Sequence, residues 1–229
     1  MADPAEVEGD VVYGRRAVEE ARRGRRAVRR VWEAGELTSA ELSKLAGSPD
    51  HQGIVAEVDP YPYADPNEIL RVEGGLVVAL DQVQDTRNLG AICRTAEAAG
   101  AAGVVIPSRR SAGVTAATAK ASAGAVEHLR VARVTNLADW LGSAKDAGAW
   151  IYGAAAGAPT AHTKADLTGK VVLVLGGEGQ GLRRRVAETC DLLISLPIRG
   201  RVDSLNVGAA AAALLYEALR QRGGDQGRI

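Results

Sequence analysis

The sequence predicts an α/β protein: a mostly parallel sheet with helices on both faces, preceded by a small α/β module. Three observations carry this. Beyond residue 75, short runs of Val, Leu and Ile are continuous rather than alternating, which marks strands covered on both faces. Helix-starting residues recur between those runs. Ahead of them Pro60, Pro62 and Pro66 crowd a short stretch, and because proline fixes its own φ and restricts its predecessor, this stretch reads as an extended linker.

The elements follow in order. An Arg-rich helix is expected from Arg15 to about Trp32, a shorter one from near Ser39 carrying Leu42 and Leu45, and a strand over Gly53–Val58. Residues 1–59 then form one small module, 60–75 the linker and 76–229 the larger domain. A module that small is marginal alone and has to lean on the larger part or on a partner. Strands of the larger domain are expected at 76–80, 103–106, 129–134, 150–152, 171–175 and 192–196. Helices start near Asn88, Thr115, Asn136 and Arg183, and the last runs from about Asn206 to Gln221.

Composition excludes several classes. With 229 residues, 46% of them hydrophobic and 24% charged, the chain can build a real core, which excludes a disordered polypeptide. There is no Phe, so that core comes from Val, Leu, Ile and Ala. The longest apolar runs fall far short of the roughly 20 residues of a membrane span, and residues 1–12 are acidic, so neither a signal peptide nor a transmembrane segment is expected. Two cysteines, Cys93 and Cys190, without CxxC spacing fit a reducing, cytoplasmic setting. The 28 basic and 28 acidic residues balance, which argues against a protein that coats nucleic acid by bulk charge. Their distribution is uneven: Arg15, Arg16, Arg22, Arg23, Arg25, Arg26, Arg29 and Arg30 face only Glu19 and Glu20 in the same stretch, which suggests an anionic partner.

Parallel sheets bind ligands at the carboxyl ends of their strands, and three segments there carry chemistry. Asn88 stands where a helix N-cap would, and Arg94 follows six residues later, about 600° round the helix and so off the face of Asn88. A capped helix with a solvated arginine is the plain reading of that pair. Gly176-Gly177-Glu178-Gly179-Gln180-Gly181 sets four glycines round one carboxylate, as a tight strand-to-helix turn or a ligand loop; it fits neither G-x-G-x-x-G nor a P-loop. Ser204 and Asn206 are both helix starters, and the alanines from Ala209 to Ala213 beyond them make a surface that a neighbouring backbone can approach closely, in this subunit or another.

Together, Asn-x-Gly-x-x-x-Arg at 88–94, Gly-Gly-Glu-Gly-x-Gly-Leu at 176–182 and Ser-Leu-Asn-Val at 204–207 resemble the three motifs of the SpoU-type ribose 2′-O-methyltransferases. Tyr13-Gly14 and His51-Gln52-Gly53 resemble the substrate-binding extension of the bacterial 23S rRNA guanosine 2′-O-methyltransferase branch. The resemblance implies an α/β fold with a C-terminal trefoil knot, S-adenosylmethionine bound in it without any metal, and a homodimer with the active site at the interface. It implies a cofactor pocket at Gly176, Gly177, Leu196, Ile198 and Leu205, and a catalytic group of Asn88, Arg94, Glu178, Ser204 and Asn206. Arg94 matches the arginine proposed in that family to take the hydroxyl proton. A guanidinium, charged below about pH 12, is a poor base, so it either reaches a transient neutral form beside an RNA phosphate or stays charged and stabilises the developing alkoxide.

The family context makes Arg15, Arg16, Arg22, Arg23, Arg25 and Arg26 candidate RNA contacts; the plain reading is a solvated helix face. The 48 residues from Tyr13 to Pro60 look shortened against related modules, and Gly208 stands where many relatives have Ser. His51, His128 and His162 show no metal-ligand spacing. The large-subunit rRNA of the resemblance is the expected substrate; a tRNA ribose methyltransferase and a non-catalytic RNA-binding assembly factor are the alternatives.

Overall fold

The computed structural model describes residues 8–223; residues 1–7 and 224–229, at the outer ends of the first and last expected segments, lie outside the described residues. The chain begins with β1 (Asp10–Tyr13), α1 (Arg15–Arg23), β2 (Val28–Glu33), α2 (Ser39–Ala46) and β3 (Ile54–Val58). The strands make a three-stranded antiparallel sheet in the order β1-β3-β2. The expected long arginine helix is therefore corrected: it stops at Arg23, Gly24 takes an extended conformation, and Val28–Glu33 pairs with β3. Tertiary pairing overrides the helical propensity of arginine here, because the strand buries Trp32 against Leu42 and Val55. Helix α2 opens on a capping box between Thr38 and Glu41.

The proline-rich stretch is not extended throughout. Asp65 caps a short helix, α3 (Pro66–Leu70), with Pro66 in its first turn where a missing N–H costs nothing. Ile69 and Leu70 are buried, and Tyr61 donates a hydrogen bond to the Val126 carbonyl at 2.8 Å.

The rest alternates strands and helices: β4 (Leu76–Asp81), α4 (Thr86–Ala98), β5 (Gly103–Pro107), α5 (Ala116–Ala121), β6 (Val131–Val134), α6 (Leu137–Asp146), β7 (Trp150–Ala154), β8 (Thr160–Ala161), β9 (Val171–Gly176), α7 (Arg184–Thr189), β10 (Leu192–Ser195) and α8 (Val207–Gln221). Seven strands form one parallel sheet in the order β6-β5-β4-β9-β7-β10-β8. The late strand β9 is inserted between β4 and β7, so the loops after β4, β9 and β10 all leave the sheet's carboxyl edge.

Strand β4 shows why its apolar run is continuous. Leu76, Val78 and Leu80 pack with α4 and α8 on one face, while Val77 and Ala79 pack with α6 and Val186 of α7 on the other. Gly90, the glycine of the first motif, has a packing reason: a Cβ there would press on Ala121 and the Thr118 carbonyl of α5. Helix α4 also packs against α8, which draws the first and third motifs together.

Candidate active site

The site is built from three loops at the carboxyl edge. After β4 the chain turns through Gln82, and Asp85 caps α4 by accepting from the Arg87 N–H at 2.7 Å. The cap thus falls three residues before the expected one, and Asn88 lies inside the helix's first turn. Its side chain is freed from capping and reaches across the edge. At the third loop Asn206 does cap its helix, accepting at Oδ1 from the N–H groups of Gly208 at 2.9 Å and Ala209 at 3.3 Å. Capping uses only the oxygen of the amide. The Asn206 Nδ2 donates to Asn88 Oδ1 and to Glu178 Oε1, both at 3.0 Å, and Asn88 Nδ2 donates to the same Glu178 oxygen at 2.6 Å. Two amides from distant segments therefore grip one carboxylate at an accessible edge.

Glu178 is presented by the glycine loop, whose composition answers first to the chain's own packing. A Cβ on Gly176 would strike the Gly181 backbone, and one on Gly177 would strike the Gln82 carbonyl. The Gly177 N–H donates to the Asp81 carbonyl at 2.8 Å, and Gly179 and Gly181 take the left-handed conformation. Asp81 itself is fully buried. Its carboxylate accepts from the backbone N–H and Nε of Arg183, at 2.8 and 2.7 Å, so it staples the far end of the loop to β4. Sequence reasoning missed this pair; the available signal was an aspartate ending an otherwise apolar strand.

Two cavities flank the loop. One of about 600 Å³ is walled by Ala154–Ala156, Leu175, Ile194, Leu196, Ile198, Leu205, Val207, Ala210 and Leu214 and floored by the loop backbone. It includes every expected cofactor residue: Gly176, Gly177, Leu196, Ile198 and Leu205. The second, of about 350 Å³, lies between the loop and residues 82–88, and the two share Gly177, Glu178, Gln180 and Gly181. A mostly apolar cavity with a few converging polar groups is the ordinary form of a small-molecule site.

The other expected residues part company. Ser204 is exposed at the rim of the larger cavity, its hydroxyl on Asp203 at 3.2 Å, and it does not join the amide cluster. Arg94 is exposed on α4 and makes no hydrogen bond or ion pair with the other four among the described residues. Arg15, Arg16 and Arg22 are exposed on α1, where Arg23 pairs with Glu19 at 2.7 Å. Arg26 is corrected as an RNA contact: its side chain is 3% exposed and forms an ion pair with Glu127, itself completely buried. Arg25 donates to the Leu129 carbonyl at 2.7 Å and the Glu127 carbonyl at 3.3 Å. These two arginines tie the turn between α1 and β2 to the segment just before β6. The His51 ring is buried and accepts from the Gly53 N–H at 3.0 Å, while Gln52 accepts from the Arg15 N–H at 3.2 Å, so this motif shapes the turn beneath α1.

Among the described residues no group of three or more His, Cys, Asp or Glu side chains is placed to hold a metal ion, and no helix is long and apolar enough to cross a membrane.

Comparison with known proteins fits this geometry. The chain is 40% identical over 93% of its length to a Bacillus subtilis protein named for the TrmH family of tRNA/rRNA methyltransferases, and spans 96% of that protein. It is 39% identical over 95% of its length to an uncharacterised tRNA/rRNA methyltransferase of Synechocystis, a longer protein of which it spans 64%. Among solved structures it resembles an AdoMet-bound rRNA methyltransferase from Sinorhizobium meliloti, with a TM-score of 0.81 and 27% identity over 92% of this chain and 87% of that one. The profile of the SpoU rRNA Methylase family matches residues 75–216, which carry the glycine loop, the amide cluster and both cavities: the chain belongs to that family.

Proposed function

We propose that this protein transfers a methyl group from S-adenosylmethionine to a ribose 2′-oxygen of RNA, with a guanosine of 23S rRNA as the target. The observation that carries the reading is the pair of cavities sharing Glu178: the larger suits an adenosine-bearing cofactor, the smaller opens beside the amide cluster. The fit to the cofactor rests on the cavity itself, whose leucine, isoleucine and alanine walls suit a nucleobase and whose loop backbone offers polar partners. When bound, the cofactor supplies an electrophilic methyl group on a sulfonium. No metal is required for that chemistry.

Within this assignment Glu178, gripped by Asn88 and Asn206, fixes the wall between donor and acceptor, and the acceptor ribose lies on the second cavity's side. Ser204 orients the rim. Arg94 makes no hydrogen bond to this cluster and the resemblance places the family's active site at a dimer interface, so we assign Arg94 to a site completed by a second copy of the chain. The exposed Val202 and Leu205 of the third loop and Tyr216 of α8 favour such a homodimer through the larger domain, for which the resemblance implies a knot. Arg94 either takes the 2′-hydroxyl proton beside a phosphate or remains charged and stabilises the alkoxide. Residues 1–59 serve as the RNA-binding module.

The test is transfer of labelled methyl from S-adenosylmethionine to unmodified large-subunit rRNA and, separately, to tRNA, with digestion to locate the label. Label on a ribose of rRNA, lost in Arg94→Ala, is expected. Label on tRNA alone reassigns the substrate, and label on a base overturns the reaction. Recovery of most activity in Arg94→Lys removes the guanidinium as base.

A further inference from the structure

The turn after β5, Ser108–Ala112, has no part in the site described above; it carries Arg109 and Arg110, and Arg133 of β6 lies against Gly113 at its far end. Its two ends are fixed. Ser108 is tied to the Val134 carbonyl of β6 by its N–H at 2.8 Å and its hydroxyl at 3.2 Å. At the other end the Ala112 N–H at 2.8 Å and the Ser111 hydroxyl at 3.2 Å both donate to the carbonyl of Val83, which lines the second cavity. Between these anchors Arg109 and Arg110 are exposed. Beside them Arg133 of β6, also exposed, stacks 3.9 Å over the Tyr63 ring, its guanidinium against Gly113.

Two features of this turn bear on its role. Arg110 holds a left-handed backbone, φ 55°, and so does Gln82, φ 62°, in the wall of the second cavity. Such conformations are strained in residues with a side chain, persist only where the surroundings impose them, and gather at ligand clamps. In addition, Arg109, Arg110 and Arg133 have no ion-pair partner among the described residues, as Arg94, Arg130, Arg199 and Arg201 have none, whereas Arg87, Arg183 and Arg185 each have a carboxylate; what is particular to the three is their place at one turn. The turn that carries Arg109 and Arg110 thus hangs from the Val83 carbonyl in the wall of a largely polar cavity, with Arg133 near its far end.

We propose that Arg109, Arg110 and Arg133 form a phosphate-binding edge in the methyltransferase domain, which grips the RNA strand next to the nucleotide in the second cavity. The role of that cavity rests on the function proposed above; the RNA contact itself does not. Rigid guanidinium forks suit phosphate oxygens, and each phosphate neutralised releases counterions, so this edge contributes to the salt dependence of binding.

The test measures binding of an unmodified 23S rRNA transcript between 50 and about 300 mM salt, with S-adenosylmethionine affinity measured separately by calorimetry. The variant is Arg109→Ala with Arg110→Gly, since glycine keeps the left-handed turn while removing the charge. At least tenfold weaker RNA binding is expected, with a log–log salt slope shallower by about 1 to 2 and unchanged cofactor affinity. Arg109→Lys with Arg133→Lys retains most of the slope. An affinity and slope equal to wild type in the first variant overturns the proposal, as does a wild-type protein that does not bind the transcript. Failure of wild-type protein to label RNA while the variant still loses binding overturns the proposed reaction and leaves this edge standing.

Discussion

The carboxyl edge of the seven-stranded sheet and the arginine-rich N-terminal sheet use polar side chains in opposite ways. At the edge, Asn88, Glu178 and Asn206 satisfy one another and remain reachable, so the polar groups are ordered without being sealed. In the N-terminal sheet, Arg26 is buried on Glu127 and Arg25 is turned onto main-chain carbonyls, so part of an apparent ligand-binding cluster is structural. A run of like residues along the chain therefore does not define a surface. Adjacent arginines here serve a buried joint and an exposed helix face within a few positions of each other.

That contrast can be broken from either side, and the largest effect belongs to the buried joint. Arg26→Ala leaves the Glu127 carboxylate buried without its partner and is expected to cost about 3 to 5 kcal/mol in urea unfolding. The double replacement Arg26→Met with Glu127→Leu removes both charges and is expected to recover to within about 1 kcal/mol of wild type. If the double variant is as unstable as the single one, the joint matters for specific pairing rather than for avoiding an unpaired charge.

The edge should respond in the reverse sense. Glu178→Ala is expected to lower methyl transfer about 100-fold with stability held within about 0.5 kcal/mol, because the side chain is exposed. Asn206→Ser keeps a capping oxygen but loses both amide donors, so activity should fall with little change in stability, whereas Asn206→Ala loses the cap as well and about 1 kcal/mol with it. Equal turnover in wild type and Asn206→Ser would show that capping, not the grip on Glu178, is the role of this residue.

The smallest effect lies on α8, away from both regions. Glu217, hydrogen-bonded by Arg220 and Gln221, is held down at about 2. Its folded value is below its unfolded one, so the contribution is present at neutral pH and lost as pH falls through the ordinary glutamate range toward 2. Glu217→Gln should cost less than about 1 kcal/mol at pH 7, and the gap should narrow at pH 3, as read by urea unfolding at the two values.

Much of this was legible before the fold. Continuous apolar runs located six of the seven strands of the large sheet, missing the two-residue β8, which has no such run, and Thr115, Asn136 and Asn206 cap the expected helices because capping is local chemistry. Asn88 was singled out for the wrong local reason. Asp85 takes the cap, and only the approach of the glycine loop shows what the Asn88 amide does. The extended linker contains a helix because Asp65-Pro66 is also a helix start, and burial of Ile69 and Leu70 decides between the two readings.

The sequence by itself determined most elements of the larger domain, the glycine loop and the three motifs, since propensity, capping and steric freedom act over a few residues. Only the tertiary structure decided that Asp81 staples that loop through Arg183, that Arg26 belongs to a buried joint, and that the turn at Arg109 and Arg110 hangs from the wall of a cavity. In the first two pairs the partners are about a hundred residues apart in sequence. Burial and charge compensation depend on what the fold sets beside a side chain, and no local pattern carries that information.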